Sequence, residues 1–270
     1  MGKAEGKTVL ITGGSRGLGR ALADRFGRAG ARIILWARTE KDLEDTVCQL
    51  EENECEAYWY SVDVTDSQRV QKAASEIKKR FGFVEVLINN AGFVSGGPFL
   101  EVPIEDHIKT MEINVNAYMR TIMVFLPEMV ERNQGHIINI ASAAGLSYVP
   151  LLSSYCASKA AVINLTDSLR LEMKYLGKDG VKFLIVCPAF VRTGMFEGVQ
   201  TPPWLPWLEP DKMADKIFRA FEKDREYLAE PLFPKLAPVF RAFIPRKFLD
   251  YFQTELGLSK SMEEWKGHGD

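Results

Sequence analysis

The chain reads as an α/β protein, a doubly wound parallel sheet with helices on both faces. Three observations predict this. Apolar runs of strand length alternate with longer helix-like stretches. The strand runs carry no polar face, as expected of parallel strands buried on both sides. The glycine-rich turn "TGGSRGLG" (12–19) lies between the first strand and the first helix.

In chain order, "KTVLIT" (7–12) is the first strand, with a helix over 17–30. "RIILWA" (32–37) is the second strand, and the charged, periodic stretch 39–53 is a helix. "AYWYSVDV" (57–64) leads to a helix over 66–81, and "VEVLINNAG" (84–92) to one long helix over 104–132. Pro127 should kink or end that helix, because it removes a hydrogen bond and clashes with the preceding turn. "GHIINIASAAG" (135–145) precedes a helix over 153–177, and "VKFLIVCPAF" (181–190) is the sixth strand. Right-handed crossovers then place a ligand crevice at the strand C-termini, in a Rossmann-type arrangement.

Beyond residue 198 the texture changes. "GVQTPPWLPWLEP" (198–210) is too rich in Pro and Trp for regular helix. A helix over 210–223 and a short strand in "EYLAEP" (226–231) follow. The extension 231–270 is apolar and aromatic with interspersed basic residues, a pattern that suits packing on the core or a partner copy, or docking at a membrane surface. The whole chain, 1–270, is expected to be one dinucleotide-binding and catalytic domain.

Composition narrows the functions. With 34 basic against 36 acidic residues in 270 and a net charge of −2, the chain lacks the basic excess of a nucleic-acid binder. Its four cysteines form no C-x-x-C pair, which argues against zinc or a disulfide framework and for a reducing compartment. Cys156 reads as a small packed thiol. No metal site is expected. The opening residues hold no apolar run for a signal peptide or membrane helix, and Gly2 lacks the Ser/Thr of a myristoylation motif.

The glycine turn suits a pyrophosphate. Gly13, Gly17 and Gly19 let the backbone turn tightly, and Ser15, Arg16 and Leu18 complete a loop whose N–H groups meet an anion at the positive end of the helix. The second strand ends without an acid. Arg38, with Arg16, suits a ribose 2′-phosphate and favours NADP(H) over NAD(H); Glu40 is an alternative ribose ligand that sits slightly late. Asp63 and Val64 follow the third strand, where they would meet an adenine edge; Asp63 as a plain turn cap competes with that reading. Asn90, Ala91 and Gly92 let the chain pass close to a cofactor.

The spacing of Tyr155 and Lys159 puts a phenol and an ammonium on one helix face, one turn apart. A nearby positive charge favours phenolate and would lower the tyrosine pKa towards neutrality, useful for an acid/base. With the glycine loop, the NNAG turn, Ser142 and Asn114, this Y-x-x-x-K resembles the short-chain dehydrogenase/reductase family over roughly residues 7–195. The resemblance implies an active tetrad of Asn114, Ser142, Tyr155 and Lys159. Ser142 donates to the substrate oxygen, Lys159 also bonds the nicotinamide ribose, and Asn114 holds a water of a proton relay. It further implies that Pro188, Val191 and Thr193 meet the nicotinamide amide; Ala189 stands where the family often has Gly.

"IILWARTEKDLE", "FLPEMVERNQGHIINIASAAG" and "FVRTGMFEGV" are similar to the subgroup of retinol dehydrogenases, retinal reductases and hydroxysteroid 17β-dehydrogenases of lipid droplets, as are Met262 and Trp265. This implies a hydrophobic alcohol, ketone or aldehyde of retinoid, steroid or fatty-chain type. Segment 196–208 reads as a substrate lid. Tyr148, Leu152, Phe196 and Trp204 are candidate pocket walls; no charged residue stands out as an anchor for a carboxylate or phosphate, although Arg192 could serve, and Arg120 falls on an outer helix face. Relatives carry an N-terminal hydrophobic anchor, which the opening residues here do not show. The implied protein is a cytoplasmic homo-oligomer with peripheral membrane or lipid-droplet contact through its C-terminal extension. The competing readings are an NAD-dependent alcohol dehydrogenase, an epimerase or dehydratase of the related extended family, and a non-catalytic cofactor-binding scaffold; the intact tetrad argues against the last two.

Overall fold

The computed structural model describes residues 2–202, 205–232, 243–255, 262, 264, 265 and 267. Seven parallel strands form one sheet in the order β3-β2-β1-β4-β5-β6-β7. They are β1 (Thr8–Thr12), β2 (Arg32–Ala37), β3 (Ala57–Ser61), β4 (Val86–Asn89), β5 (Gly135–Ile140), β6 (Val181–Pro188) and β7 (Tyr227–Glu230). Helix α1 (Gly17–Gly27), α2 (Glu40–Glu52) and α7 (Pro210–Glu222) cover one face. Helix α3 (Ser67–Phe81) and α5 (Ala117–Arg132) cover the other, with Met173 of α6 (Ser153–Tyr175). The unbroken apolar strands have this cause: Val9 and Ile11 of β1 face the α1 side, and Leu10 between them faces the α3 side.

Strand β1 pairs with β2 on one side and β4 on the other, with Val9 opposite Val86 and Leu10 opposite Leu87. The connections reverse direction there, so the loops after β1 and β4 part and leave a crevice at their C-terminal ends. A buried polar row crosses the adjoining strands. Asn89 donates to Asn139 Oδ1 at 2.8 Å, Asn139 donates to Thr166 Oγ1 at 2.9 Å, and Thr121 Oγ1 donates to Asn89 Oδ1 at 2.6 Å. Each amide is matched, so the row costs little and fixes the register of β4 against β5.

The single helix expected over 104–132 is three pieces. Helix α4 (Ile104–Met111) runs into a π-helical turn, Glu112–Asn116, and then into α5. Pro127 neither ends α5 nor breaks it. The carbonyl left without a donor belongs to Met123, whose side chain is 73% exposed, so water can serve that side of the helix. The helix ends at Asn133, in the left-handed region at φ 47°.

Candidate active site

A cleft of about 740 Å³ lies along the strand C-termini. At its floor, Thr12 Oγ1 accepts the N–H groups of Asn90 and Ala91 at 3.0 and 3.1 Å, and Asn90 Nδ2 donates to the carbonyls of Thr12 and Gly13 at 3.0 Å. These bonds lock the glycine turn to the end of β4. Gly17 has φ +55°, and a Cβ there would lie 2.8 Å from Thr193 Cβ; a Cβ on Gly19 would strike the Gly13 carbonyl oxygen. Only hydrogen fits at either position, so the turn closes tightly over the start of α1. Arg16, at the N-cap of α1, makes no side-chain cap and no acid occupies the first turn. The first N–H groups of α1 thus remain available to an anion, and a pyrophosphate fits this cradle.

The expected cofactor residues line the cleft except Gly19, which lies beneath the turn. Arg16 and Arg38 are exposed at one end, and neither guanidinium has an ion-pair or hydrogen-bond partner among the described residues. Glu40 opens α2 and does not line the cleft, whereas Asp42, one residue pair further on, does. Asp63 lines it too, but its Oδ1 accepts the N–H and hydroxyl of Thr65 at 2.9 and 2.7 Å, so the turn-cap reading holds for that oxygen.

At the other end stand Ser142, Tyr155 and Lys159. Helix α6 opens two residues before Tyr155, and His107 of α4 pins this end. Its Nε2 donates to Phe99 O at 3.1 Å, so its Nδ1 accepts the Ser154 hydroxyl at 2.6 Å. Tyr155 and Lys159 are each 4% exposed. Lys159 Nζ donates to Ile140 O at 2.9 Å and stands 5.7 Å from the centre of the Tyr155 ring. Ser142 Oγ donates to Pro188 O at 3.4 Å and accepts Ala144 N–H at 3.2 Å.

The electrostatics differ from the expectation of an acidified phenol. Burial pushes Tyr155 well above the ordinary tyrosine value, with hydrogen bonding to Ser142 pulling the other way. Burial also brings Lys159 down to about 8, opposed by Cys187. Both groups sit in the same dry site, so desolvation outweighs the attraction expected from spacing alone.

Asn114 lies in the π-helical turn, fully buried behind the cleft. Its Oδ1 accepts Phe93 N–H at 2.8 Å, and its Nδ2 donates to Phe93 O and Ser158 Oγ, both at 2.9 Å. Ser158 Oγ in turn donates to Tyr155 O at 2.7 Å. The side chain thus clamps the chain after β4 to α6. A relay water on it would have only the second lone pair of Oδ1.

Above Tyr155 lies an apolar cluster that includes Val94, Leu152, Cys156, Phe190, Phe196, Leu205 and Met262. The Phe196 ring meets Tyr155 edge-on at 6.0 Å and Phe190 at 5.2 Å. The expected lid is pinned at its base, where Arg192 N–H donates to Leu208 O and Leu208 N–H to Phe190 O, both at 2.9 Å. Leu152 and Phe196 occupy the predicted wall. Tyr148 is not in this cluster: its hydroxyl donates to Asp250 at 3.0 Å, in helix α8 (Arg246–Glu255). Trp204 lies outside the described residues. Arg192 is paired with Glu209 at 3.2 Å, beside Trp207, and so is already neutralised. Arg120 bridges Glu112 and Ser67. Sequence reasoning missed Asp42, Lys109 and Glu112 as cleft residues. The acid-rich start of α2 was the available signal for Asp42; Lys109, near the end of α4, and Glu112, in the π-helical turn, reach the cleft only through the crossovers.

The description "short chain dehydrogenase" matches residues 7–203. Among curated relatives, human (Homo sapiens) epidermal retinol dehydrogenase 2 is 38% identical over 96% of this chain and 84% of its own length. The 17-beta-hydroxysteroid dehydrogenase 13 of Rattus norvegicus is 32% identical over 90% and 81%. Among solved structures, a short-chain dehydrogenase/reductase from Burkholderia phymatum in complex with NAD superposes with TM-score 0.80 at 28% identity, covering 93% of this chain and 96% of that one. A metagenomic short-chain oxidoreductase in complex with NADP gives 0.70 at 28%, covering 84% and 95%. With the family match spanning most of its length and relatives like these along nearly all of it, the chain belongs to the short-chain dehydrogenase/reductase family, oxidoreductases of alcohols and carbonyls built on a nicotinamide-dinucleotide fold.

Proposed function

We propose that this protein is an NADP(H)-dependent oxidoreductase that interconverts a hydrophobic ketone or aldehyde with its alcohol. The observation that carries the reading is the meeting of Ser142, Tyr155 and Lys159 where a dinucleotide-sized cleft runs into an apolar cluster. NADP(H), when bound, supplies or accepts the hydride. Tyr155 gives its proton to the substrate oxygen as carbon is reduced, so C=O becomes CH–OH and the phenol becomes phenolate; the reverse oxidation returns the proton to Tyr155. Ser142 donates a hydrogen bond to the same oxygen as charge develops. Lys159, with a pKa near 8, is mostly cationic at neutral pH and steadies the phenolate. Asn114 is a positioning residue that sets α6 against the Phe93 backbone.

The guanidinium groups of Arg16 and Arg38, without a partner among the described residues, support a 2′-phosphate. Asp42 at the same end favours the NAD alternative, and comparison of the two nucleotides decides between them. Val94, Leu152, Phe190 and Phe196 suit a retinoid, steroid or fatty chain, the substrates that the relatives' names carry. The chain works as one domain over 1–270, and four unpaired cysteines suit a reducing compartment. Ile104, Ile108, Met119 and Met123, exposed on α4 and α5, suit a second copy. Phe243, Phe248 and Tyr251 are exposed beside Arg246 and Lys247 and suit peripheral contact with a lipid surface; no described helix is long and apolar enough to cross a membrane.

The test is Tyr155→Phe, followed at the nicotinamide absorbance. Turnover should vanish while NADPH binding stays near wild type; retained turnover would remove Tyr155 from the proton transfer.

A further inference from the structure

Three chain-distant segments enclose the space above Tyr155: the turn at Val94–Gly97 after β4, the lid after β6, and Met262 with Trp265. Met262 is 4% exposed within the apolar cluster, with Trp265 packed against it. The Trp265 indole N–H donates to Met195 O at 3.2 Å. Met195 directly precedes Phe196, whose ring covers Tyr155. A second link joins the same two segments, Gln200 Nε2 donating to Glu264 Oε2 at 2.6 Å. The seat for this tail is Gly96: a Cβ there would lie 2.7 Å from the Trp265 ring and 3.0 Å from Met262 Cε. Any side chain at 96 therefore pushes the indole away. Gly97 N–H donates to Leu151 O at 2.9 Å, which anchors the seat to the segment before α6.

We propose that Met262 and Trp265 form a strap that holds the lid against Gly96 and sets how bulky a hydrophobic substrate can reach Tyr155. The proposal deepens the oxidoreductase reading and rests on it for the identity of the reaction. On the side of the apolar cluster Tyr155 is covered by Phe196, so a bulky carbonyl reaches it from that side only when Phe196 and its neighbours part. Among the described residues the strap resists parting through two hydrogen bonds, each a modest net contribution, and the apolar contact of one sulfur-bearing and one indole side chain. Because the strap is joined to the lid beside Phe196, its removal enlarges the chamber on the substrate side. The glycine turn and the Arg16 and Arg38 end of the dinucleotide cleft, which Met262 and Trp265 do not line, are left as they are, while Met195 and Phe196 move at its tyrosine end.

The experiment uses the full chain and the variants Trp265→Ala, Gly96→Ala and Gln200→Ala. Hexanal and the four-ring diketone androstenedione are compared with NADPH, and binding of all-trans-retinal without cofactor is followed by quenching of tryptophan fluorescence. In Trp265→Ala and Gly96→Ala, kcat/KM for the diketone relative to hexanal should rise about tenfold, the scale on which pocket shape discriminates. Retinal affinity should shift further than NADPH affinity, because the phosphate and ribose end of the cleft lies away from the strap. Gln200 is exposed, so Gln200→Ala keeps the fold and should move the same ratio less far. Folded variants with the wild-type ratio and wild-type retinal affinity overturn the strap. If the wild type turns over neither carbonyl, the oxidoreductase reading fails by itself. Retinal binding then decides on the strap: altered affinity in the variants supports it and unaltered affinity refutes it.

Discussion

Replacing Lys159 with Met tests the desolvation of the ammonium directly, with no cofactor present. Burial brings the Lys159 pKa from 10.5 to about 8 in the folded chain. Between those values the unfolded chain binds more protons than the folded one, so this group makes stability rise with pH across that window. Integrating the two titrations, the wild type should gain roughly 2 kcal/mol relative to Lys159→Met between about pH 7 and about pH 9.5. The comparison with the variant is essential, because Cys156, Cys187 and Tyr155 are all raised by burial and pull the stability of both proteins down at high pH. The substitution leaves no orphan, since Tyr118 still donates to Ile140 O at 3.1 Å. Urea unfolding at a series of pH values measures the gap. A wild-type stability, relative to the variant, that stays constant or falls as pH rises would refute the claim that Lys159 is held in a dry site.

Arg38→Asp should weaken NADPH binding at least about tenfold more than NADH binding, because it removes a guanidinium from the expected 2′-phosphate and adds a repelling carboxylate. Equal losses by titration of the two nucleotides would undo that assignment. Gly19→Ala should abolish binding of both nucleotides and lower the unfolding midpoint, since its methyl strikes the Gly13 carbonyl; wild-type binding would show that the turn is not close-packed.

The parts of the fold legible in sequence were those governed by short-range pattern. Strands with Val, Ile or Leu on both faces read as buried because they are, and Tyr155 and Lys159 share a face because four residues make about one helical turn. The rest depended on contacts across the chain. Nothing near Pro127 says that its unpaired carbonyl faces solvent. Nothing near Tyr148 points it to Asp250. The phenol shows a similar limit: spacing reports the Lys159 charge, but the depth of burial that opposes it belongs to the tertiary structure.

The wide turn at Glu112–Asn116 carries a consequence for engineering. Its extra residue advances the phase of everything after it by about 100° relative to an unbroken helix. Deleting one residue there would give a more regular rod and smoother backbone bonding. It would also swing the Asn114 amide away from Phe93 and Ser158, or rotate the apolar stripe of α5 off the sheet. A search for stabilising changes that rewarded helical regularity would select that deletion and dismantle the anchor beneath Tyr155.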